Sequence, residues 1–152
     1  MPELDVLIVG AGPVGLFLAN ECARRGLNYR LIEAKLAQSE HSKALAVMPR
    51  TLEILDMAGV AAGFLAAANR VTWAAIHSRQ HPLARVRFEP EDSPYPFVAM
   101  VPQNVTEAIL REALRGRGGD VVYNTELKTA TATGDGVCAT LQRAGVSESV
   151  QA

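Results

Sequence analysis

The sequence predicts an α/β fold that opens with a strand, a helix and a second, parallel strand. Three observations predict it. A short β-branched run, Asp5-Val6-Leu7-Ile8-Val9, reads as a fully buried strand. A glycine-rich turn, Gly10-Ala11-Gly12-Pro13-Val14-Gly15, follows at once. A second strand-like run over residues 28–32 then closes on an acid, Glu33.

Between these strands, residues 16–25 predict a helix, with Leu16, Ala19 and Ala23 on one face and Arg24 and Arg25 in the last turn. Gly26 stands where a helix of that length ends. Strand, turn, helix and strand thus fit within 33 residues, the minimal βαβ unit.

Residues 34–46 are mixed and polar and read as a loop. A helix is expected over 49–58, with Pro49 suited to its first turn and Gly59 to its C-cap. A short alanine-rich helix over 60–68 and strands over 71–76 and 83–88 follow. Residues 89–97 carry three prolines and read as an irregular turn. Asn104 is expected to cap a helix over 104–115, with Glu107 at the capping-box position. Strands over 121–123 and 126–133 follow, and Gly134-Asp135-Gly136 turns the chain into a hairpin strand over 137–142. After Gly145 the sequence turns polar and predicts no further element.

Composition narrows the function classes. The chain has 152 residues, 49% hydrophobic and 20% charged, as expected of a globular domain with a real core. A formal net charge of -1 is far from the basic bias of a nucleic-acid binder. The first apolar run is too short to span a bilayer, which takes about 20 residues. Glu3 and Asp5 precede it in place of the positive flank of a signal peptide, so a cytoplasmic protein is expected, with neither membrane nor nucleic acid as partner. Cys22 and Cys138 are too few for a disulfide framework and too far apart for a metal site, and both are expected to be buried. His41, His77 and His81 are read as surface residues, and no metal site is expected.

The glycine turn carries the chemistry. A lone G-x-G-x-x-G is a weak signal. Here it lies after a strand, before a helix, and ahead of an acid at the end of the next strand. Gly10 serves the tight turn, and Gly12, lacking a Cβ, lets a pyrophosphate approach the backbone. Gly15 lets helix and strand pack closely. The N–H groups around Val14 and Gly15 then face the phosphates, and the helix dipole favours an anion there by about 0.3–1 kcal/mol. Glu33, 18 residues after Gly15, is placed to accept hydrogen bonds from ribose hydroxyls and to repel a 2′-phosphate. The motif therefore predicts a Rossmann-like dinucleotide site preferring FAD or NAD to NADP, and does not separate these two.

Four stretches do more. Gly10-Ala11-Gly12-Pro13-Val14-Gly15-Leu16, Ser42-Lys43-Ala44 leading to Pro49-Arg50-Thr51-Leu52-Glu53-Ile54-Leu55, Ser93-Pro94-Tyr95-Pro96-Phe97, and Val101-Pro102-Gln103 together resemble the FAD-dependent aromatic-ring monooxygenases of the para-hydroxybenzoate hydroxylase type. The resemblance implies FAD as cofactor, with Glu33 on the adenosine ribose, Lys43 near flavin and pyrophosphate, and Gln103 on the ribityl or pyrophosphate part. Lys43 stands where relatives often carry arginine, and it lacks the bidentate fork. Arg50 is expected to support its loop and helix. The resemblance further implies that NADH or NADPH reduces the flavin transiently, and that oxygen is then used to hydroxylate a small aromatic substrate. No catalytic residue is assigned.

The Asp-Gly and later Gly-Asp motifs of that family do not appear, so a truncated N-terminal portion, incomplete as a Rossmann-like FAD-binding fold and inactive alone, is expected. Within 1–152, residues 1–70 are expected to form the βαβ core and helices. Residues 71–100 would begin a β-strand-containing second region resembling a substrate domain, and 101–152 would add a helix and a β-hairpin. Self-association through exposed sheet edges is expected. Two other readings stay open: a different FAD- or NAD-linked oxidoreductase, such as a halogenase or dehydrogenase, and a non-catalytic remnant.

Overall fold

A computed structural model describes residues 4–38, 46–88 and 92–152. The chain divides into two compact units, residues 1–40 with 110–152, and residues 41–109.

The first unit opens with β1 (Val6–Val9), α1 (Pro13–Arg24) and β2 (Tyr29–Ile32). β1 and β2 pair in parallel, Val6 opposite Tyr29 through Val9 opposite Ile32. After α4 (Gln103–Gly116), whose residues from Leu110 onward belong to this unit, β8 (Val121–Val122) pairs in parallel with the other edge of β2, giving the order β1-β2-β8. β2 is thus the central strand, and its Leu31 and Ile32 are almost fully buried. Among the described residues β1 pairs with β2 alone, and it is not the fully buried strand its composition suggested: Ile8 is buried but Val9 is 53% exposed. A β-branched run reports strand propensity and does not report how many neighbours a strand has.

The helix ends follow the local chemistry. α1 closes with Gly26 at φ +69, and the N–H groups of Gly26 and Leu27 donate to the carbonyls of Ala23 and Cys22. That pattern satisfies carbonyls the helix leaves over and needs a left-handed residue where glycine has no Cβ penalty.

The same unit ends in an antiparallel meander, β9 (Thr125–Ala132), β10 (Val137–Arg143) and β11 (Val146–Gln151), in the order β11-β10-β9. Its inward residues Ala139, Leu141 and Val150 join Leu4 and Ile32 in a buried cluster. β11 was not expected. Its run Val-Ser-Glu-Ser-Val-Gln is polar because only Val150 is buried along it. It is set by the two-residue turn Ala144-Gly145, both at positive φ, which matches the twist of a tight hairpin. Cys22 is buried as expected, but Cys138 is only half-buried. It alternates with inward Ala139 on β10, and its sulfur lies 3.5 Å from Ser149 Oγ.

The second unit holds α2 (Pro49–Met57), α3 (Ala61–Ala67) and the first turns of α4. It also holds a small antiparallel sheet in the order β3-β7-β4, made of β3 (Ala46–Val47), β7 (Val98–Met100) and β4 (Asn69–Val71). Leu52, Leu55, Phe64, Val98 and Val101 are buried in this unit. The remaining pair, β5 (Trp73–Ser78) and β6 (His81–Arg87), is a two-stranded hairpin turning at Arg79-Gln80. Nearly all of its residues are exposed.

Candidate dinucleotide site

The turn between β1 and α1 is fixed by backbone geometry. Gly10 sits at φ +98, a conformation that side chains rarely adopt, and its N–H donates to Ile32 O at 2.8 Å, carrying the β1–β2 pairing one residue further. Gly12 is the N-cap of α1 in extended conformation, with no side-chain cap, and Pro13 occupies the first turn. Pro suits that place because its missing N–H would have had no intrahelical acceptor. The next N–H groups, of Val14 and Gly15, belong to the first turn that a helix leaves without internal partners. Val14 is 82% exposed.

Gly12 and Gly15 differ in why they must be glycine. A Cβ on Gly15 would stand 2.0 Å from Gly10 O and 3.4 Å from an Ile8 methyl, so helix and strand approach too closely for any side chain. A Cβ on Gly12 would meet no atom of the described residues within 4 Å. Packing among the described residues therefore does not demand glycine at position 12, whereas a ligand lying against the backbone would.

Glu33, just past the end of β2, turns its carboxylate back to this turn. Its Oε2 accepts the N–H of Ala11 at 2.9 Å and its Oε1 the N–H of Lys35 at 3.0 Å. Its backbone is held as well, donating to Val122 O and accepting from Thr125 N. Two charge-assisted bonds orient the carboxylate and leave lone pairs on each oxygen for further donors such as hydroxyls. Gly10, Gly12, Val14, Gly15 and Glu33 thus gather at one end of the parallel strands. The bond from Ala11 to Glu33, which ties the acid to the turn, was not foreseen.

A second residue was missed. Asn20 lies on the buried face of α1 at 1% exposure, where its neighbours Leu16 and Ala19 are apolar. Its Nδ2 donates to Leu16 O at 2.9 Å and to Leu110 O at 2.8 Å, and its Oδ1 accepts from Arg117 Nη1. Both N–H donors and the carbonyl oxygen of the amide are engaged, which is why a polar group is tolerated there. An asparagine within an apolar helical stripe was the available signal.

Gln103 belongs to the second unit. It is the first residue of α4, one before the expected start, and its Nε2 donates to Glu107 Oε1 at 2.9 Å. Glu107, expected at the capping-box position, thus accepts a bond from Gln103. Arg50 donates to Glu53 Oε2 at 2.7 Å, and Ser93 Oγ donates to Glu53 Oε1 at 2.7 Å, so α2 is tied to the Ser93 segment. The bonds from Arg50 and Ser93 hold the Glu53 carboxyl below its ordinary pKa. Lys43 lies outside the described residues, as does His41. Among the described residues no group of three His, Cys, Asp or Glu could hold a metal, and no helix is long and apolar enough to cross a membrane.

A parallel βαβ unit with a glycine turn and a strand-end acid defines the class, a dinucleotide-binding fold. Comparison with known proteins gives the family. The FAD binding domain family matches residues 3–152, and the chain belongs to it. The 6-methylpretetramide 4-monooxygenase of Streptomyces rimosus is 42% identical over 98% of this chain and 28% of its own length. The pentachlorophenol 4-monooxygenase of Sphingobium chlorophenolicum is 33% identical over 74% of this chain and 21% of its own. Among solved structures, the OxyS anhydrotetracycline hydroxylase of Streptomyces rimosus superposes with a TM-score of 0.86 at 32% identity, over 98% of this chain and 30% of that one. The chain thus spans less than a third of the length of these relatives. The α/β FAD-binding fold and FAD as cofactor agree with the expectations from sequence, and the chain is an FAD-binding domain of the flavin-dependent aromatic monooxygenase type.

Proposed function

We propose that this chain binds the ADP half of FAD through Gly10, Gly12, Val14, Gly15 and Glu33, with Lys43 and Gln103 completing the cofactor contacts. It would do so as the FAD-binding segment of a monooxygenase that hydroxylates an aromatic ring using NADH or NADPH and oxygen. The observation that carries the reading is the contrast at the turn: glycine at position 12 has no packing cause among the described residues, while the strand-end acid is fastened beside it. Bound FAD would supply the redox chemistry. The chain's own part is to present N–H groups and the positive end of α1 to phosphate, and to hold Glu33 ready for ribose hydroxyls. The names of the relatives, which act on 6-methylpretetramide and pentachlorophenol, support a small aromatic substrate for the whole protein.

The test is a titration of the purified chain with FAD, followed by flavin fluorescence, with NAD as competitor. Saturable FAD binding is expected. Gly12→Ala should weaken it by at least about tenfold, because the added methyl occupies the space the pyrophosphate needs. The variant should fold normally, since that methyl meets no atom of the described residues. Unchanged FAD affinity in a folded Gly12→Ala chain would overturn the assignment.

A further inference from the structure

The acid at the end of β2 is held from a second direction, by the turn that leaves β8. β8 runs parallel to β2 and ends at Val122, and the chain enters β9 at Thr125 through Tyr123 and Asn124. Asn124 sits at φ +53, in the left-handed region that glycine and asparagine adopt more readily than other residues. The N–H of Asn124 donates to Lys35 O at 2.9 Å and the N–H of Thr125 to Glu33 O at 3.0 Å, while the Glu33 N–H donates to Val122 O at 3.0 Å. Lys35 in turn donates its own N–H to Glu33 Oε1 at 3.0 Å. Asn124 thus holds the Lys35 carbonyl, and the Lys35 N–H holds the carboxylate. Thr125 is buried, and its Oγ1 donates to Tyr123 O at 3.1 Å, which closes the turn on itself. The Asn124 side chain is exposed, so backbone conformation, not packing, decides which residue suits this place.

Resting on the reading of Glu33 as the ribose acid, we propose that Asn124 is a positioning residue of the cofactor site: its left-handed turn sets the Glu33–Lys35 segment and, through it, the affinity for ribose hydroxyls. A hydroxyl-to-carboxylate bond weakens steeply with distance and angle, so a shift of this segment is felt at the ribose. Phosphate recognition is anchored elsewhere, by the glycine turn and the first N–H groups of α1. A β-branched residue at position 124 opposes the left-handed conformation, whereas glycine takes it without penalty.

Two nucleotides separate ribose from phosphate recognition. ADP and 2′,3′-dideoxy-ADP are titrated by calorimetry into the full chain, with urea unfolding to establish that each variant is folded. The parent should bind ADP at least about tenfold more tightly than the dideoxy compound. Asn124→Val should cut that ratio at least about fivefold, by weakening ADP while leaving dideoxy-ADP within about twofold. Asn124→Ala, a milder disturbance, should cut it about threefold. Asn124→Gly, which keeps the turn without the side chain, should retain the parent's ratio, and Gly12→Ala should weaken both nucleotides together. The parent's ratio in Asn124→Val, or in Asn124→Ala where the valine chain does not fold, would overturn the proposal. So would equal weakening of both nucleotides, which marks a purely structural role, or a loss in Asn124→Gly as large as that in Asn124→Val. A parent that does not distinguish the two nucleotides would remove the Glu33 reading and this proposal with it. A parent that does, beside position-124 variants that do so equally well, would remove the role of Asn124 alone.

Discussion

The β1–α1–β2 unit and the β5–β6 hairpin are both made of short strands that the sequence announces, yet they are held differently. In the first, Ile8, Leu31 and Ile32 are buried, and α1 packs so closely on the turn that one glycine admits no methyl. In the second, Trp73, Ile76, Leu83 and Val86 are all exposed, and the visible organisation is cross-strand pairing and one stacked cation. Two-stranded ribbons are marginal by themselves in water. In the first region, then, burial and backbone contact decide what each residue must be. In the second, side chains are free of that constraint and available for contacts outside the hairpin.

The sharpest way to break this comparison is Gly15→Ala. Its Cβ would sit 2.0 Å from a backbone oxygen that Gly10 cannot move without disturbing the β1–α1 turn. A loss of at least about 3 kcal/mol, or failure to fold, is expected in urea unfolding. Gly12→Ala, three residues away, should stay within about 0.5 kcal/mol of the parent. Similar losses in the two variants would mean that both glycines serve packing alone, and the ligand-facing role of Gly12 would fall.

A smaller effect tests whether the first region also depends on its polar node. Asn20→Leu keeps the volume but removes the bonds to Leu16 O and Leu110 O and takes an acceptor from Arg117. About 2 kcal/mol should be lost, because the Leu110 carbonyl and the guanidinium each forfeit a buried partner. A neutral result in the same unfolding measurement would show that apolar burial at this position compensates the lost bonds.

The two regions also differ in how they were read from sequence. The glycine turn, the end of α1 at Gly26 and the end of α2 at Gly59 were legible because each depends on the local backbone: all three glycines Gly10, Gly26 and Gly59 have positive φ. Strands β3, β4 and β7 were not, since each has two or three residues and exists through its partner. β11 escaped for a related reason, as an edge strand with a single buried side chain. Glu33 was placed by its spacing from the glycines, but its bond to Ala11 N spans 22 residues and follows only from β1 and β2 lying side by side. Asn20 shows the opposite limit: its partners at Leu110 and Arg117 are about 90 residues away, and no local rule supplies them.

The smallest effect concerns pH and lies on the solvent side of α1. Arg24 Nε and Nη2 donate to the two oxygens of Glu21 at 3.0 and 2.9 Å, and Arg25 Nη2 approaches Glu21 Oε2 at 2.9 Å. The hydrogen bonds from Arg24, reinforced by the charges of Arg24 and Arg25 against a smaller opposing effect of burial, hold the Glu21 carboxyl below its ordinary value near 4.5. A depressed folded-state value means the ionised carboxylate favours the folded chain. That contribution is complete above the unfolded value and disappears as pH falls through the folded one. Thermal unfolding of the parent should therefore weaken on acidification below about pH 5 more than that of Glu21→Gln, with the two curves converging in acid. The difference should be slight and should shrink further in salt, because both arginines are largely exposed. Parallel pH curves for the two proteins would show that the ion pairs on this face contribute nothing, and that the first region is held by its buried contacts alone.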